Sequence, residues 1–418
     1  MSVSGLQLFA ELDRRLVAAV RGIKLLSLVS WPASVQAAFV ESWRSGQPQL
    51  PAVEYAKGDY TRTREELEAV FLAADSGHPV GDYLRLTAQS WRIATELLDA
   101  VGTSAISEHS IRLFGRPGDL LPGGSVSNLD AARHFIELAD ELAREIVTSS
   151  ADFCIPAEVL RDELQSDISK FFTAHKVTVE IDPDLIAKAA AGPTRIRLRS
   201  STCFSEYDKH QLLEHEAFVH SLTALNGREQ PNLKSLALNS PRITATQEGL
   251  ATFAELMSGS IDIGRMKRIS LRIVAIDMAL AGADFIDVFR FFHESGQTDS
   301  DSFTSAMRVF RGAPLTGGAA FTKDTVYLHG LLSVHTFFRW ALKNQKLKLC
   351  RALFAGKMAL HDVLALEPFF DSGFVAAPLY LPPWMQQANG MAGVLAFSLF
   401  ANRIRLDKVV AEDLVLGV

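Results

Sequence analysis

The segment HEAFVH, residues 215–220, places two histidines five residues apart in a stretch with helical character. At 3.6 residues per turn, a five-residue step rotates by about 140°, whereas a four-residue step rotates by about 40°. His215 and His220 would therefore point to different sides of a regular α-helix. For both imidazoles to bind one ion, the helix must widen locally, as a π-bulge does through its i to i+5 hydrogen bonds. The sequence predicts such a π-bulge here.

Apolar periodicity predicts that most of the chain is helical. Apolar residues recur at three- and four-residue steps over Phe9–Ile23, which is typical of one face of an amphipathic helix. That helix should stop before Trp31-Pro32, because proline disfavours helical geometry in the residue ahead of it. Further helices are predicted over residues 79–101, 129–147 and 157–174.

Two short segments before HEAFVH have the alternation of β-strands. Val177–Ile181 is rich in β-branched residues, and Thr194–Arg199 alternates strictly between apolar and polar residues. Arg195, Arg197 and Arg199 share one face of the second segment, which either attracts an acidic substrate or pairs with nearby acidic residues. The expected fold class is α+β, mainly α, with a small β-sheet before the helix that carries the candidate site.

Composition and charge exclude two classes of partner. The 418-residue chain has a formal net charge of −6, which argues against nucleic-acid binding, since that needs a basic surface. The basic segments Arg265–Arg272 and Lys343–Arg351 lack interleaved aromatic residues and are expected to form exposed helix faces. The longest apolar run, Met391–Ala401, is shorter than the roughly 20 residues that span a bilayer. We expect no nucleic-acid partner and no membrane partner.

The cysteines and the N-terminus indicate a cellular compartment. Cys154, Cys203 and Cys350 are odd in number, far apart and without a CxxC pattern, so no disulfide framework is expected. The first residues have charges inside the apolar pattern, unlike a signal peptide. Both observations predict a cytoplasmic protein.

A second segment supplies the third candidate ligand. Residues 241–255 read PRITATQEGLATFAE, and Glu248 opens their helical pattern. Two histidines and a carboxylate from a later helix form one common zinc-peptidase site, which keeps a fourth position open for water. HEAFVH alone is also compatible with two histidines that only satisfy hydrogen bonds, and Glu248 tips the balance toward a site for one zinc ion.

Three neighbouring residues are interpreted around these ligands. Gly249 is expected to let its helix pack closely against the helix that carries HEAFVH, called the metal helix below. Glu255 either orients a ligand histidine or is an ordinary surface carboxylate. His210 lies five residues before the first histidine but is expected to stay outside the ligand set, since a third ligand at that interval would require sustained helix distortion.

HEAFVH followed by QEGLA resembles the bacterial proteins named for a QEGLA motif and for modulating flavohaemoglobin expression. It also resembles their animal relatives, the microtubule-associated tyrosine carboxypeptidases. The resemblance extends from about residue 10 to near the end and includes IRLFGRP at 111–117 and FTKDTVYLHG at 321–330. The animal members remove a C-terminal tyrosine from tubulin, a substrate that does not carry over to a chain with no identified tubulin partner.

The resemblance implies a fold and a set of roles. It implies a zincin-like, helix-rich catalytic unit with zinc ligands His215, His220 and Glu248 and with Glu216 as the catalytic glutamate. We divide the chain into an N-terminal helical region (1–150), a catalytic core (151–330) and a C-terminal helical region packed on the core (331–418), which together form one compact unit.

The chemistry of a carboxypeptidase predicts two further sets of residues. Tyr327 and His329 are candidates to stabilise the oxyanion that develops during hydrolysis. Arg308, Arg311 and Lys323 are candidates to bind the terminal carboxylate of a peptide or protein tail, a task that suits a fixed cation.

Two alternatives stay open at the level of sequence. An aminopeptidase or endopeptidase would use the same metal site. A regulatory or interaction protein with a structural or vestigial site is the other alternative, and ligation of the metal by Cys203 would favour it. The oligomeric state is not predicted.

Overall fold

The computed structural model describes residues 3–145, 154–183, 185, 187–200 and 202–402. The chain is mainly helical, with one small sheet. The α-helices are α1 Val3–Val20, α2 Leu25–Leu28, α3 Ala33–Arg44, α4 Thr61–Ala73, α5 Pro79–Asp99, α6 Ile106–Phe114, α7 Asn128–Glu145, α8 Ala157–Phe171, α9 Glu206–Leu212, α10 Leu222–Glu229, α11 Thr244–Met257, α12 Ile263–Leu280, α13 Phe285–Glu294, α14 Asp299–Phe310, α15 Val326–Lys343, α16 Leu347–Ala352, α17 Leu360–Ala365, α18 Glu367–Asp371, α19 Pro383–Gln386 and α20 Ala388–Ala401. A π-helix spans Leu213–Ser221, and short 3₁₀ helices span Lys234–Ala237, Pro241–Ile243 and Thr322–Thr325.

The predicted helices are confirmed with small shifts in their ends. Helices α5, α7 and α8 cover the segments predicted over residues 79–101, 129–147 and 157–174. The first helix ends at Val20, short of the proline that was expected to stop it. A turn follows at once, in which the amide of Ile23 donates to the carbonyl of Val20.

The sheet has three strands in the order β1-β3-β2, where β1 is Thr178–Asp182, β2 is Ala189–Ala191 and β3 is Arg195–Arg199. Strands β1 and β3 are parallel, and β2 pairs antiparallel with β3. The two predicted strands are confirmed. Strand β2 was not predicted, because three alanines carry none of the β-branched or aromatic residues that mark strands.

Ion pairs occupy the arginine face of β3. Arg197 lies 2.9 Å from Asp182, and Arg195 lies 3.5 Å from Glu180, both on the neighbouring strand β1. These contacts favour the structural interpretation of the face over an acidic-substrate surface.

Two apolar cores hold the helices together, and neither is confined to one of the three predicted regions. One core joins α1, α5 and α8 to the sheet, the π-helix and α15. The other joins α3 and α6 to α12, α13 and α14. The division at residues 150 and 330 stays a prediction.

Gly249 in α11 and Gly330 in α15 lie at the point where these two helices touch. A Cβ atom added at Gly249 would lie 2.2 Å from the carbonyl carbon of Gly330, and one at Gly330 would lie 2.1 Å from the carbonyl oxygen of Ala245. The close approach predicted for Gly249 is therefore real, but its partner is α15 and not the metal helix.

Gly249→Ala is expected to destabilise the protein, because the helices must separate to accommodate one methyl group. Overpacking of this kind lowers the free energy of unfolding by about 1–3 kcal/mol, or more when the obstacle is backbone. Urea denaturation of the variant measures this loss. Gly22→Ala is the matched control, since a Cβ there meets no atom within 4 Å. Equal stability of the two variants would contradict the close helix contact.

The expectation that the cysteines form no disulfide framework is wrong for one pair. Cys154 and Cys203 form a disulfide, with their Cα atoms 4.9 Å apart. The adjacent residues Ile155 and Phe204 exchange two backbone hydrogen bonds, so an isolated antiparallel bridge brings the cysteines together across 49 residues of sequence. Cys350 is free and buried.

One stretch among the described residues, Gly5–Arg44, is long and apolar enough to cross a membrane by length and composition alone. It is broken into α1, α2 and α3, and Leu12, Leu16 and Val20 of α1 are buried in the first core. Cytoplasmic localisation stays a prediction, since the cysteine argument for it no longer holds.

Candidate metal centre

The predicted π-helix is confirmed, and it brings both histidines of HEAFVH to one place. The π-helical turns cover Leu213–Ser221, which includes the whole motif. The rings of His215 and His220 have centroids 4.8 Å apart and are nearly perpendicular, at 81°. A regular α-helix would separate them by about 140° of rotation, so the extra residue per turn makes the shared site.

Glu248 of α11 completes the cluster. Its Oε2 lies 3.5 Å from Nε2 of His215 and 3.6 Å from Nε2 of His220. Its Oε1 accepts a hydrogen bond from Nζ of Lys323 at 2.9 Å. Burial alone raises the pKa of Glu248, but Lys323 and the two histidines outweigh burial and hold this pKa well below its usual range.

The three donor atoms fit zinc. Each lies within 4.8 Å of the others, and the described residues contain no other such cluster of potential ligands. Around a tetrahedral zinc with bonds of roughly 2.0–2.1 Å, ligand atoms lie about 3.4 Å apart, close to the distances from Glu248 to the histidines. Two imidazoles and one carboxylate also leave a coordination position free, as catalytic sites do.

Glu255 holds His215 from behind. Its Oε1 lies 2.7 Å from Nδ1 of His215, and its two oxygens accept hydrogen bonds from Arg265 at 3.2 and 3.3 Å. Burial lowers the pKa of His215, but Glu248 and then Glu255 outweigh it and raise the pKa to about 10. The orienting interpretation of Glu255 therefore has the geometry it requires, with Nε2 left to face Glu248.

Glu255→Gln is expected to weaken zinc binding about 10- to 100-fold, because a carboxylate behind a ligand histidine fixes its tautomer and its orientation. Competition with a zinc chelator measures this affinity. Glu229→Gln is the matched control, since Glu229 contacts His175 at 3.1 Å in a His–carboxylate pair that includes none of the three ligands. An affinity in Glu255→Gln equal to the wild type would contradict the role of Glu255.

The side chain of Glu216 extends from the π-helix to strand β2. Its Oε2 accepts a hydrogen bond from the backbone amide of Ala191 at 3.0 Å. Five residues further on, the hydroxyl of Ser221 donates to the carbonyl of Gly192 at 2.9 Å. Strand β2 and the glycine that follows it thus contact the π-helix at Glu216 and at Ser221. No described residue bonds the other carboxylate oxygen of Glu216.

The two oxyanion candidates lie in different surroundings. The hydroxyl of Tyr327 accepts a hydrogen bond from Arg308 at 3.3 Å, and the ring centroid lies 5.0 Å from Nζ of Lys323, which contacts Glu248. His329 is two residues further along α15, a rotation of about 200°. Its Nδ1 lies 3.3 Å from the hydroxyl of Ser333. Tyr327 is connected to the metal cluster, whereas His329 is not.

A family model described as microtubule-associated tyrosine carboxypeptidase matches residues 38–403. The chain belongs to this family. Membership in a carboxypeptidase family supports a peptidase and agrees with a protein C-terminal tail as the class of substrate. A search of curated proteins finds no match.

Of the three cations predicted to bind a terminal carboxylate, two are already paired. Lys323 bonds Glu248, as described above. Arg308 makes two hydrogen bonds to Asp324, at 2.5 and 2.7 Å. Arg311 has neither a hydrogen bond nor an ion pair with any described residue, and its buried Nε lacks a partner. Burial, and then the neighbouring Arg308, lower the pKa of Arg311 to about 10.

The basic segment Arg265–Arg272 of α12 is only partly exposed, since Arg268 is exposed but other arginines contact acidic residues. Arg265 contacts Glu255 behind the metal cluster, and Arg272 lies 3.7 Å from Asp324. The two arginines are seven residues apart and so share one helix face. That face packs against the acidic residues of α11 and of the 3₁₀ helix Thr322–Thr325. The spacing of the two arginines is visible in the sequence, but the acidic residues that they contact cannot be identified from it.

Sequence reasoning also missed Lys357. Lys357 is only 5% exposed, and its ammonium interacts electrostatically with Glu248 and Glu216. No motif marks this lysine, and it lies more than a hundred residues from both glutamates. Conversely, Cys203 is exposed and bonded to Cys154, and His210 is exposed, so neither joins the metal cluster.

Proposed function

We propose that the protein is a zinc-dependent carboxypeptidase that removes a residue from the C-terminus of a peptide or protein tail. The observation that carries the proposal is the cluster of His215, His220 and Glu248 with Glu216 beside it, in a chain of a tyrosine carboxypeptidase family. A helix-rich body with a small sheet before the metal helix supports a zincin-like fold. Tyrosine is the proposed terminal residue, by the description of the family.

His215, His220 and Glu248 would hold one zinc ion, and Glu255 and Lys323 would fix two of these ligands. When bound, zinc supplies a Lewis acid that acidifies water and polarises the scissile carbonyl.

Glu216 is the proposed proton carrier. The amide of Ala191 holds one of its oxygens at 3.0 Å, which fixes the carboxylate while the other oxygen stays available. That oxygen accepts a proton from the attacking water and later delivers it to the amine of the departing residue. The Tyr327 hydroxyl is the proposed hydrogen-bond donor to the developing oxyanion. The positive charges of Arg308 and Lys323 lie close to Tyr327 and favour partial negative charge on its phenolic oxygen, which makes the hydroxyl a stronger donor.

The proposal is tested with synthetic peptides that end in tyrosine, phenylalanine, glutamate or alanine and are followed by mass spectrometry. The expected result is loss of one residue from the C-terminus, fastest for tyrosine, with no internal cleavage. Trimming from the N-terminus or internal cutting would replace the proposal by an aminopeptidase or an endopeptidase. A zinc-loaded protein that cuts no peptide would favour a regulatory protein.

A further inference from the structure

Lys357 is a buried cation with no direct partner. Its ammonium makes no hydrogen bond and no ion pair with any residue that the structure describes. The charges that act on it are those of Glu248 and Glu216, one a candidate metal ligand and the other the candidate base. Burial lowers the pKa of Lys357 to about 8, against the attraction of these two carboxylates. The loop that carries Lys357 also contacts α11 close to Glu248, since the amide of Leu360 donates to the hydroxyl of Thr246 at 3.2 Å, two residues before Glu248. Lys357 therefore lies in a loop beside the candidate site.

The backbone around Lys357 is anchored to the helix that continues the π-helix. The side chain of Asn226 in α10 donates to the carbonyl of Phe354 at 2.7 Å, and Gln230 donates to Ala355 at 2.8 Å. The amide of Lys357 itself donates to Leu236 at 2.7 Å. A Cβ at Gly356 would lie 2.7 Å from the Cβ of Leu236, so the loop packs tightly there. The backbone of Lys357 is thus held in place before any ligand arrives.

Two of the other cations near the metal cluster are already paired. Lys323 bonds Glu248 and Arg308 bonds Asp324, so binding a substrate carboxylate would cost them an existing partner. Arg311 is unpaired, and the largest charge interactions on it are those with Arg308, Asp324 and two tyrosines. An unpaired buried charge is unfavourable, and an incoming anion relieves it.

We propose that Lys357 binds the α-carboxylate of the substrate's C-terminal residue and thereby restricts the site to free C-termini. The inference rests on the proposed function. It assigns specificity for the chain end to a residue on the loop after α16, and it leaves Tyr327 to the oxyanion. A role of Lys357 at the oxyanion predicts a different result, because the oxyanion forms equally from free and amidated peptides.

Binding tests the inference without depending on turnover. The zinc-loaded Glu216→Gln protein is titrated by calorimetry with a pentapeptide of neutral residues ending in tyrosine, once as the free acid and once as the C-terminal amide. We expect the free acid to bind roughly 10- to 100-fold more tightly than the amide, as a charge-assisted hydrogen bond provides. Adding Lys357→Met should abolish this preference by weakening the free acid alone, and Lys357→Arg should restore part of it.

The controls separate the inference from its alternatives. Lys267→Met is the matched control, since Lys267 pairs with Asp140 at 2.6 Å outside the metal cluster and should not affect the preference. Zinc content and thermal unfolding show that each variant is folded. The inference is overturned if Lys357→Met keeps the preference, if acid and amide weaken equally, if Arg311→Met abolishes the preference instead, or if neither peptide binds. Failure of the wild type to hydrolyse the same peptides contradicts the proposed function separately.

Discussion

Glu216→Gln is expected to lower kcat/KM for peptide hydrolysis by about 10³-fold or more while the protein keeps its zinc. The substitution preserves the shape of the side chain and the acceptor for the Ala191 amide, but it removes the group that takes the proton from water. Loss of a positioned general base costs roughly 10²- to 10⁴-fold. Glu216 is not one of the three clustered donor residues, so the ligand set is unchanged.

Glu214→Gln is the matched control for this result. Glu214 is two residues before Glu216 on the same π-helix, and burial raises its pKa to about 7, so an amide resembles its protonated form. We expect its turnover to stay within a few-fold of the wild type. Measurable hydrolysis by Glu216→Gln at the wild-type rate would remove Glu216 from the mechanism. Loss of zinc from the Glu216→Gln protein would instead indicate that Glu216 supports the metal site.

His220→Ala is expected to lose zinc binding and, with it, the stabilisation that zinc provides. Only two of the three ligands, His215 and Glu248, remain in the variant. A ligand that binds only the folded state stabilises it in proportion to the logarithm of its concentration over Kd. Chelation should therefore lower the Tm of the wild type and leave the Tm of His220→Ala unchanged.

His210→Ala is the control for His220→Ala, because His210 is an exposed histidine on α9 that lies outside the donor cluster. Its zinc content and its response to chelation should match those of the wild type. A His220→Ala protein that still holds one zinc with wild-type affinity would contradict the assignment of His220. Unchanged Tm of the wild type on chelation would contradict a bound zinc altogether.

The local part of the site was predictable because it follows from helix geometry. The five-residue interval between His215 and His220 leaves only a widened helix if both face one ion, and the π-helix meets that condition. Glu248 lies 28 residues after His220, and nothing local joins the two helices. Its role was expected from the His₂Glu pattern of zinc peptidases and from the resemblance, and the structure brings it to the histidines.

The remainder of the site depends on contacts that sequence spacing does not encode. Lys357 comes from a loop between α16 and α17, and Asn226 and Gln230 anchor the start of that loop through the carbonyls of Phe354 and Ala355. Arg265 belongs to a segment whose charge pattern suggested a solvated face, since nothing indicated that Glu255 lies opposite it. The Cys154–Cys203 bond likewise follows from an isolated backbone bridge across 49 residues.

The central claim is that one zinc ion on His215, His220 and Glu248 is required for C-terminal hydrolysis. The most direct measurement is the zinc content of the wild type together with its turnover of a tyrosine-ending peptide, before chelation, after chelation and after titration with zinc. We predict one zinc per chain, no turnover by the chelated protein, and full recovery at one equivalent of zinc. Undiminished turnover by the zinc-free protein would show that hydrolysis does not require zinc.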